Sequence, residues 1–201
     1  MSLATTPPVG RRERNKQVKL ERITAAAREL FAEHGVDEVT TQQIAEKADI
    51  GTGTLFLYAK TKGELLLLVQ NSTYAHALEV GRAAAGSIPD TLDAVMAIIR
   101  PVVECNRIQV DNGRTYLREL VFGDPEEPHH RDALALTAQT EEEMTAVFGR
   151  DDRIDPGDAA TLARVSTAIM FIGMASPANI ASTVDDIVQE IRDQVRVLLP
   201  R

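Results

Sequence analysis

Apolar residues recur at three- and four-residue intervals over most of the chain and nowhere alternate over a useful length with a strand's period of two. Ile23, Ala26, Ala27, Leu30 and Phe31 form one stripe of a helix predicted from about residue 12 to 34, with Gly35 as its stop. Ile44, Ala45 and Ala48 mark a short helix, which Thr40 caps with Gln43 at capping-box spacing. Asp49-Ile50-Gly51 breaks it, with Gly51 expected to supply the unusual backbone conformation. Residues 52–58 then form a second short helix whose Leu55 points back toward Ile44 and Ile50. Thr61 caps a long helix from Lys62 to about Ala85. Further helices are predicted from about Thr91 (kinked at Pro101), over 115–122 and 126–148, from the 155–158 turn to Ala175, and over 184–199. Ser87–Asp90, Asn112-Gly113, Gly123–Pro125 and Ser176-Pro177 read as the breaks. The fold class is all-α.

Two short helices about a tight turn, braced by the helix before them, make a helix-turn-helix module, whose second helix enters the DNA major groove. On that reading Thr40 and Thr41 offer hydroxyl and backbone N–H groups to a phosphate, and Gln42 reaches toward a base edge, where glutamine suits adenine. Thr52, Gly53, Thr54 and Phe56 project to the groove, Thr54 and Phe56 with methyl or aromatic contact for thymine. Packing inside the small core is the other reading of Phe56 and Tyr58. Arg11, Arg12 and Arg14 suit either a minor-groove arm or a solvated tail.

Charge sharpens this picture only when it is divided. The 201 residues carry a net −8, which alone argues weakly against nucleic acid. Residues 1–62 hold ten Lys/Arg against eight Asp/Glu, a net +2, so the remaining twelve and twenty-two leave residues 63–201 at −10. Within residues 1–22 six basic side chains face two acidic ones, a net +4. A basic end on an acidic body suits a protein that presents one end to phosphates.

The same stretch resembles the DNA-binding domain of the TetR family of bacterial transcription regulators. The resemblance rests on Thr40, Ile44-Ala45, Ala48-Asp49-Ile50-Gly51, Gly53-Thr54-Leu55-Phe56, Tyr58-Ala59, and Lys62 with Leu65, in the family's spacing over roughly residues 14–68. Three positions depart from it: Gly51 stands where the family has Ser, Ala59 where it has Phe, and Asp49 where it has a turn Gly. The resemblance implies a flexible basic arm (1–13), a helix-turn-helix domain (14–62) and a ligand-binding and dimerisation domain (63–201). It implies that Tyr58 and Lys62 hold the DNA backbone and that Leu57 is a further contact. It also implies a ligand cavity among the central helices. Expected linings are Met96, Ile99, Val103, Tyr116 and Leu120, with Phe122, Met144, Phe148, Met170 and Met174, and Arg118 or Glu119 as a polar determinant.

The last two predicted helices bear on assembly. Val184, Ile187, Val188, Ile191, Val195 and Leu198 form one stripe. Leu162, Val165, Ile169, Phe171, Ile172 and Met174 leave their helix apolar nearly all round, so that it needs cover on two sides. A core helix of a monomer and a homodimeric four-helix bundle both satisfy this; the resemblance implies the homodimer. The function it implies is a repressor on a pseudo-palindromic double-stranded operator, released by an unknown small-molecule effector. The open alternative is a helical small-molecule-binding protein whose helix-turn-helix is DNA-silent.

Enzyme chemistry finds no foothold. His129 and His130 diverge by about 100° on a helix, a poor metal chelate, and just after Pro128 they suit a helix-start or a surface role. Cys105 has no histidine nearby in sequence and reads as a small buried hydrophobe. No cofactor, metal site or catalytic residue is expected. No apolar run approaches the ~20 residues of a membrane span, and a single cysteine forms no internal disulfide, so cytoplasmic residence is the expectation.

Overall fold

The computed structural model describes residues 10–200, which contain nine α-helices, one 3-10 turn and no strand. The head consists of α1 (Arg11–His34), α2 (Thr41–Lys47) and α3 (Thr52–Leu55). The body consists of α4 (Lys62–Ala85), α5 (Thr91–Arg107), α6 (Val110–Phe122), α7 (Pro128–Phe148), α8 (Ala159–Ala175) and α9 (Val184–Leu198). Residues 1–9 of the expected arm lie outside the described residues. Arg11, Arg12 and Arg14 belong to the first turn of α1 and not to an arm.

Side-chain caps set most helix starts. Thr40, Thr61, Asp90, Gln109 and Thr183 each accept the N–H three residues on. Thr40 and Thr183 complete reciprocal capping boxes with Gln43 and Asp186. Each such cap is worth about 1 kcal/mol.

Two elements, α3 and α6, differ from the pattern-based reading. α3 closes after one turn, and residues 56–58 continue as tight turns rather than as helix. α5 contains Pro101 within one continuous helix, as the spacing predicts. α6 starts five residues early, so Asn112-Gly113 is not a turn: both residues are buried in its first helical turn. The reason is the crossing with α5, where a Cβ on residue 113 would sit 2.1 Å from the Asn106 carbonyl oxygen. Gly81 plays the same part between α4 and α5, its missing Cβ lying 2.8 Å from Ile98 Cα.

One continuous core runs from Ile23 in the head to Val195 in α9, with Leu65, Leu66 and Leu67 of α4 shared between head and body. The stripe Ile187, Val188, Ile191 and Val195 turns inward onto α5 and α8, and the ion pairs Arg100–Asp185 and Arg192–Asp93 flank the α5–α9 contact. What α9 leaves uncovered is the far side of α8. Ile172 there is 70% exposed, and Val165 is open too. Val121 and Phe122, at the end of α6, continue this apolar strip.

Candidate functional site

The turn of the head is built differently from its sequence appearance. Gly51 has an ordinary extended backbone (φ −73°), whereas Asp49 takes the left-handed conformation at φ 51°. Asp49 is therefore the strained residue of the turn, a conformation that Asp tolerates better than most side chains. Arg22 Nη2 braces it, donating to the Asp49 carbonyl at 2.9 Å and to its carboxylate at 2.8 Å. Beneath the turn Ile44, Ala45, Ala48, Leu55 and Ala59 are all buried, so the α2–α3 angle is fixed by packing. The start of α3 has no side-chain cap.

The outward face carries the residues expected to meet DNA, with some already engaged. Thr40 spends both its N–H and its hydroxyl on Gln43 in the cap, and its neighbour Thr41 is half-buried. Gln42 donates to Glu46 at 2.9 Å. Gly51 and Gly53 meet nothing within 4 Å where a Cβ would stand. Phe56 is 44% and Leu57 83% exposed, while Thr52 and Thr54 are half-buried. Tyr58 combines both readings, half-buried against the core with its hydroxyl 3.4 Å from the Lys16 carbonyl. Lys62 Nζ donates to the Asp37 carbonyl at 3.0 Å.

Head and body are joined by buried polar contacts. Asn112 of α6 accepts the Val36 N–H at 2.7 Å and donates to the Phe31 carbonyl at 2.8 Å, clasping the end of α1. On the other flank His129 Nε2 lies 3.0 Å from the Tyr58 carbonyl oxygen, and Lys60 pairs with Glu127. Buried Glu64 accepts the His129 N–H, and burial raises its carboxyl above the usual range against the opposing pull of His129. His130 is buried, with Nε2 2.9 Å from the Leu120 carbonyl oxygen. Of the two roles expected for this histidine pair, helix start or surface, the pair takes the first and not the second: the start of α7 is a docking point between head and body.

A cavity of about 230 Å³ opens beside the Asn112 clasp. Its walls come from α1 (Arg28, Phe31), α4 (Val69, Tyr74), the α5–α6 corner (Ile108) and α6 (Tyr116). Of the ten expected lining residues only Tyr116 is among its walls. Met96, Ile99, Val103, Leu120, Met144, Phe148, Met170 and Met174 are packed in the core. Phe122 is 82% exposed on the strip beside α8, and Arg118 lies along the same groove.

Residues 23–69 match the family model described as bacterial regulatory proteins, tetR family. Its N-terminal region is a TetR-family domain. The rest of the chain follows the fold of such proteins. A TetR transcriptional regulator from Rhodococcus sp. RHA1 superposes with a TM-score of 0.69 at 19% identity, over 92% of this chain and 97% of that one. Thermus thermophilus FadR, a TetR-family transcriptional repressor in complex with lauroyl-CoA, gives 0.69 at 22% identity, over 90% and 96%. A TetR-family regulator from Streptomyces coelicolor gives 0.62 at 21%, over 90% and 94%. No curated protein sequence matches the chain. TetR-family proteins are regulators, not enzymes.

Sequence reasoning about the TetR domain missed the residues that tie it to the body. Asn112 has the residue type of a turn former, and nothing near it in sequence signals a partner 76 positions away. His129 gave a faint signal, as a histidine set at a helix start behind Pro128 with no chelating partner.

Proposed function

We propose that this chain is a dimeric, DNA-binding transcriptional repressor that a small molecule releases from a pseudo-palindromic operator. The observation that carries the reading is the outward face of the TetR domain. Thr41, Thr52, Gly53 and Thr54 stand there beside exposed Phe56 and Leu57, on a scaffold whose own core is fully buried. Large apolar side chains held in water by a rigid turn suit contact with thymine methyls, and the small Gly53 lets the backbone approach the groove. Thr41, Tyr58 and Lys62 serve the phosphates; Thr40 and Gln42 flank them.

Dimerisation would cover the open side of α8. Val165 and Ile172 supply the strip, extended by Val121 and Phe122 of α6, so α9 contributes mainly by backing α8. Two heads held this way would read half-sites one helical turn apart, roughly 34–36 Å. Repression is supported by the Thermus relative, itself a repressor. A small-molecule effector would act by preferring one arrangement of head on body, and a preference of about 1–3 kcal/mol changes operator affinity about 5- to 150-fold.

Fluorescence anisotropy against labelled fragments from upstream of the gene, over a salt series, tests the reading. Saturable, sequence-selective binding with a steep salt slope is expected. Binding that is equal on random DNA and vanishes with modest salt would instead support a DNA-silent ligand-binding protein.

A further inference from the structure

The cavity beside the Asn112 clasp has one charged group in its lining, Arg28 of α1. The guanidinium donates to Ser72 Oγ across the α1–α4 contact at 3.2 Å and is in no ion pair among the described residues. Its neighbour Glu29 is already held by Lys47. Behind this cation Phe31, Leu66, Val69, Tyr74 and Ile108 supply most of the wall, interspersed with the uncharged polar side chains of Gln70, Thr73, Asn106, Gln109 and Asn112. A largely apolar chamber with a cation outside any ion pair at its rim is complementary to an amphipathic anion, because the anion gains a charge-assisted hydrogen bond while its body leaves water.

The volume narrows the class. About 230 Å³ is below the roughly 300–1,000 Å³ of pockets for drug-sized ligands. A single ring or a short alkyl chain fits, and a coenzyme A thioester does not fit inside it. Cys105 also lines the chamber, but burial pushes its thiol up to about 12, so it is a neutral wall rather than a nucleophile.

We infer that this chamber is the effector site of the protein and that it takes a small aryl or short-chain monocarboxylate, with Arg28 binding the carboxylate. The inference rests on the proposed regulator reading for its role, though the binding chemistry does not. Such a ligand touches the head through Arg28 and Phe31 and the body through Val69 and Tyr116. It also borders Asn112 itself. Occupancy therefore fastens head to body in the arrangement seen here, and the ligand acts on the junction rather than on the packed centre of the body.

Isothermal titration of the full chain with benzoate and hexanoate, against benzamide and hexanamide, tests the site without DNA. The acids are expected to bind at least about tenfold more tightly than the amides, and Arg28→Gln to erase that difference. Ala32→Leu, which fills the chamber, should abolish binding while leaving the far-UV circular dichroism unchanged. With acid bound, the Val36 amide should exchange more slowly with deuterium. Equal binding of acid and amide, an Arg28→Gln chain that binds as the parent does, or no binding of any probe at millimolar concentration would overturn the inference. The anisotropy experiment on ligand-free protein reports separately on the regulator reading, so the two can fail independently.

Discussion

Replacing Asn112 with alanine should loosen the head from the body, and the size of the effect follows from its two bonds. The side chain is 4% exposed and lies against the end of α1. The Phe31 carbonyl also accepts the Gly35 N–H, so it loses one of two partners. The Val36 N–H has Asn112 as its acceptor, and Val36 is buried, so it would be left unsatisfied. An orphaned buried donor costs about 1–3 kcal/mol and the second bond about 1 kcal/mol, giving about 2–4 kcal/mol in all. For a chain of this size that lowers Tm by about 4–16 °C. Urea titration followed by circular dichroism measures the loss, and deuterium exchange at Val36 locates it. Asn112→Asp keeps the acceptor for Val36 but sets a carboxylate against the Phe31 carbonyl, so it should restore Val36 protection only in part. If Asn112→Ala lies within about 0.5 kcal/mol of the parent, the clasp does not hold the junction.

Other perturbations probe the turn, the buried acid, the thiol and the DNA face. Asp49→Gly relieves the left-handed backbone and gives up only an exposed ion pair, so it should raise stability by up to about 1 kcal/mol; Asp49→Val should lower it by about 1–2 kcal/mol, both read by thermal melts. Glu64 has a raised folded-state pKa, so its neutral form favours the native state below the ordinary value of 4.5, and that contribution is lost as pH rises through the raised value. The difference in Tm between the parent and Glu64→Gln should therefore grow from pH 4 to pH 7 in the variant's favour. Cys105, pushed up to about 12, should react with iodoacetamide at pH 8 more than about a hundredfold slower in the native chain than in urea. Lys62→Ala should weaken binding to all DNA alike and reduce the salt slope by about one, whereas Thr54→Ala should alter preference among sequences, both by anisotropy.

Local physics made the head legible. Thr40 and Gln43 announce a cap four residues before Ile44 and Ala45 begin a buried face, and the whole device closes within twenty residues. The turn's strain was harder to place, because Gly51 has the permissive residue type while Asp49 carries the left-handed backbone under Arg22's brace. In the body, helix lengths followed from spacing, but apolar type did not separate cavity from core. Met96, Met144, Met170 and Met174 suit either, and the packing of α5, α7 and α8 put all four in the interior. The chamber that does open depends on Arg28 and Ile108, eighty positions apart in the chain and joined only by tertiary contact.

α6 holds the α1 clasp near one end, at Asn112, and apolar side chains beside the open face of α8 at the other, at Phe122. The two lie ten residues apart along one helix, about 15 Å. A tilt of about 13° that pivots at Phe122 would carry Asn112 through about 3.4 Å, the axial step of one base pair. In the proposed dimer, small adjustments in how two copies seat against each other would thereby reach the head as displacements on the scale of one base-pair step. On that reading, the phase of two heads on DNA would be a mechanical property of α6 as much as of the residues that touch a base.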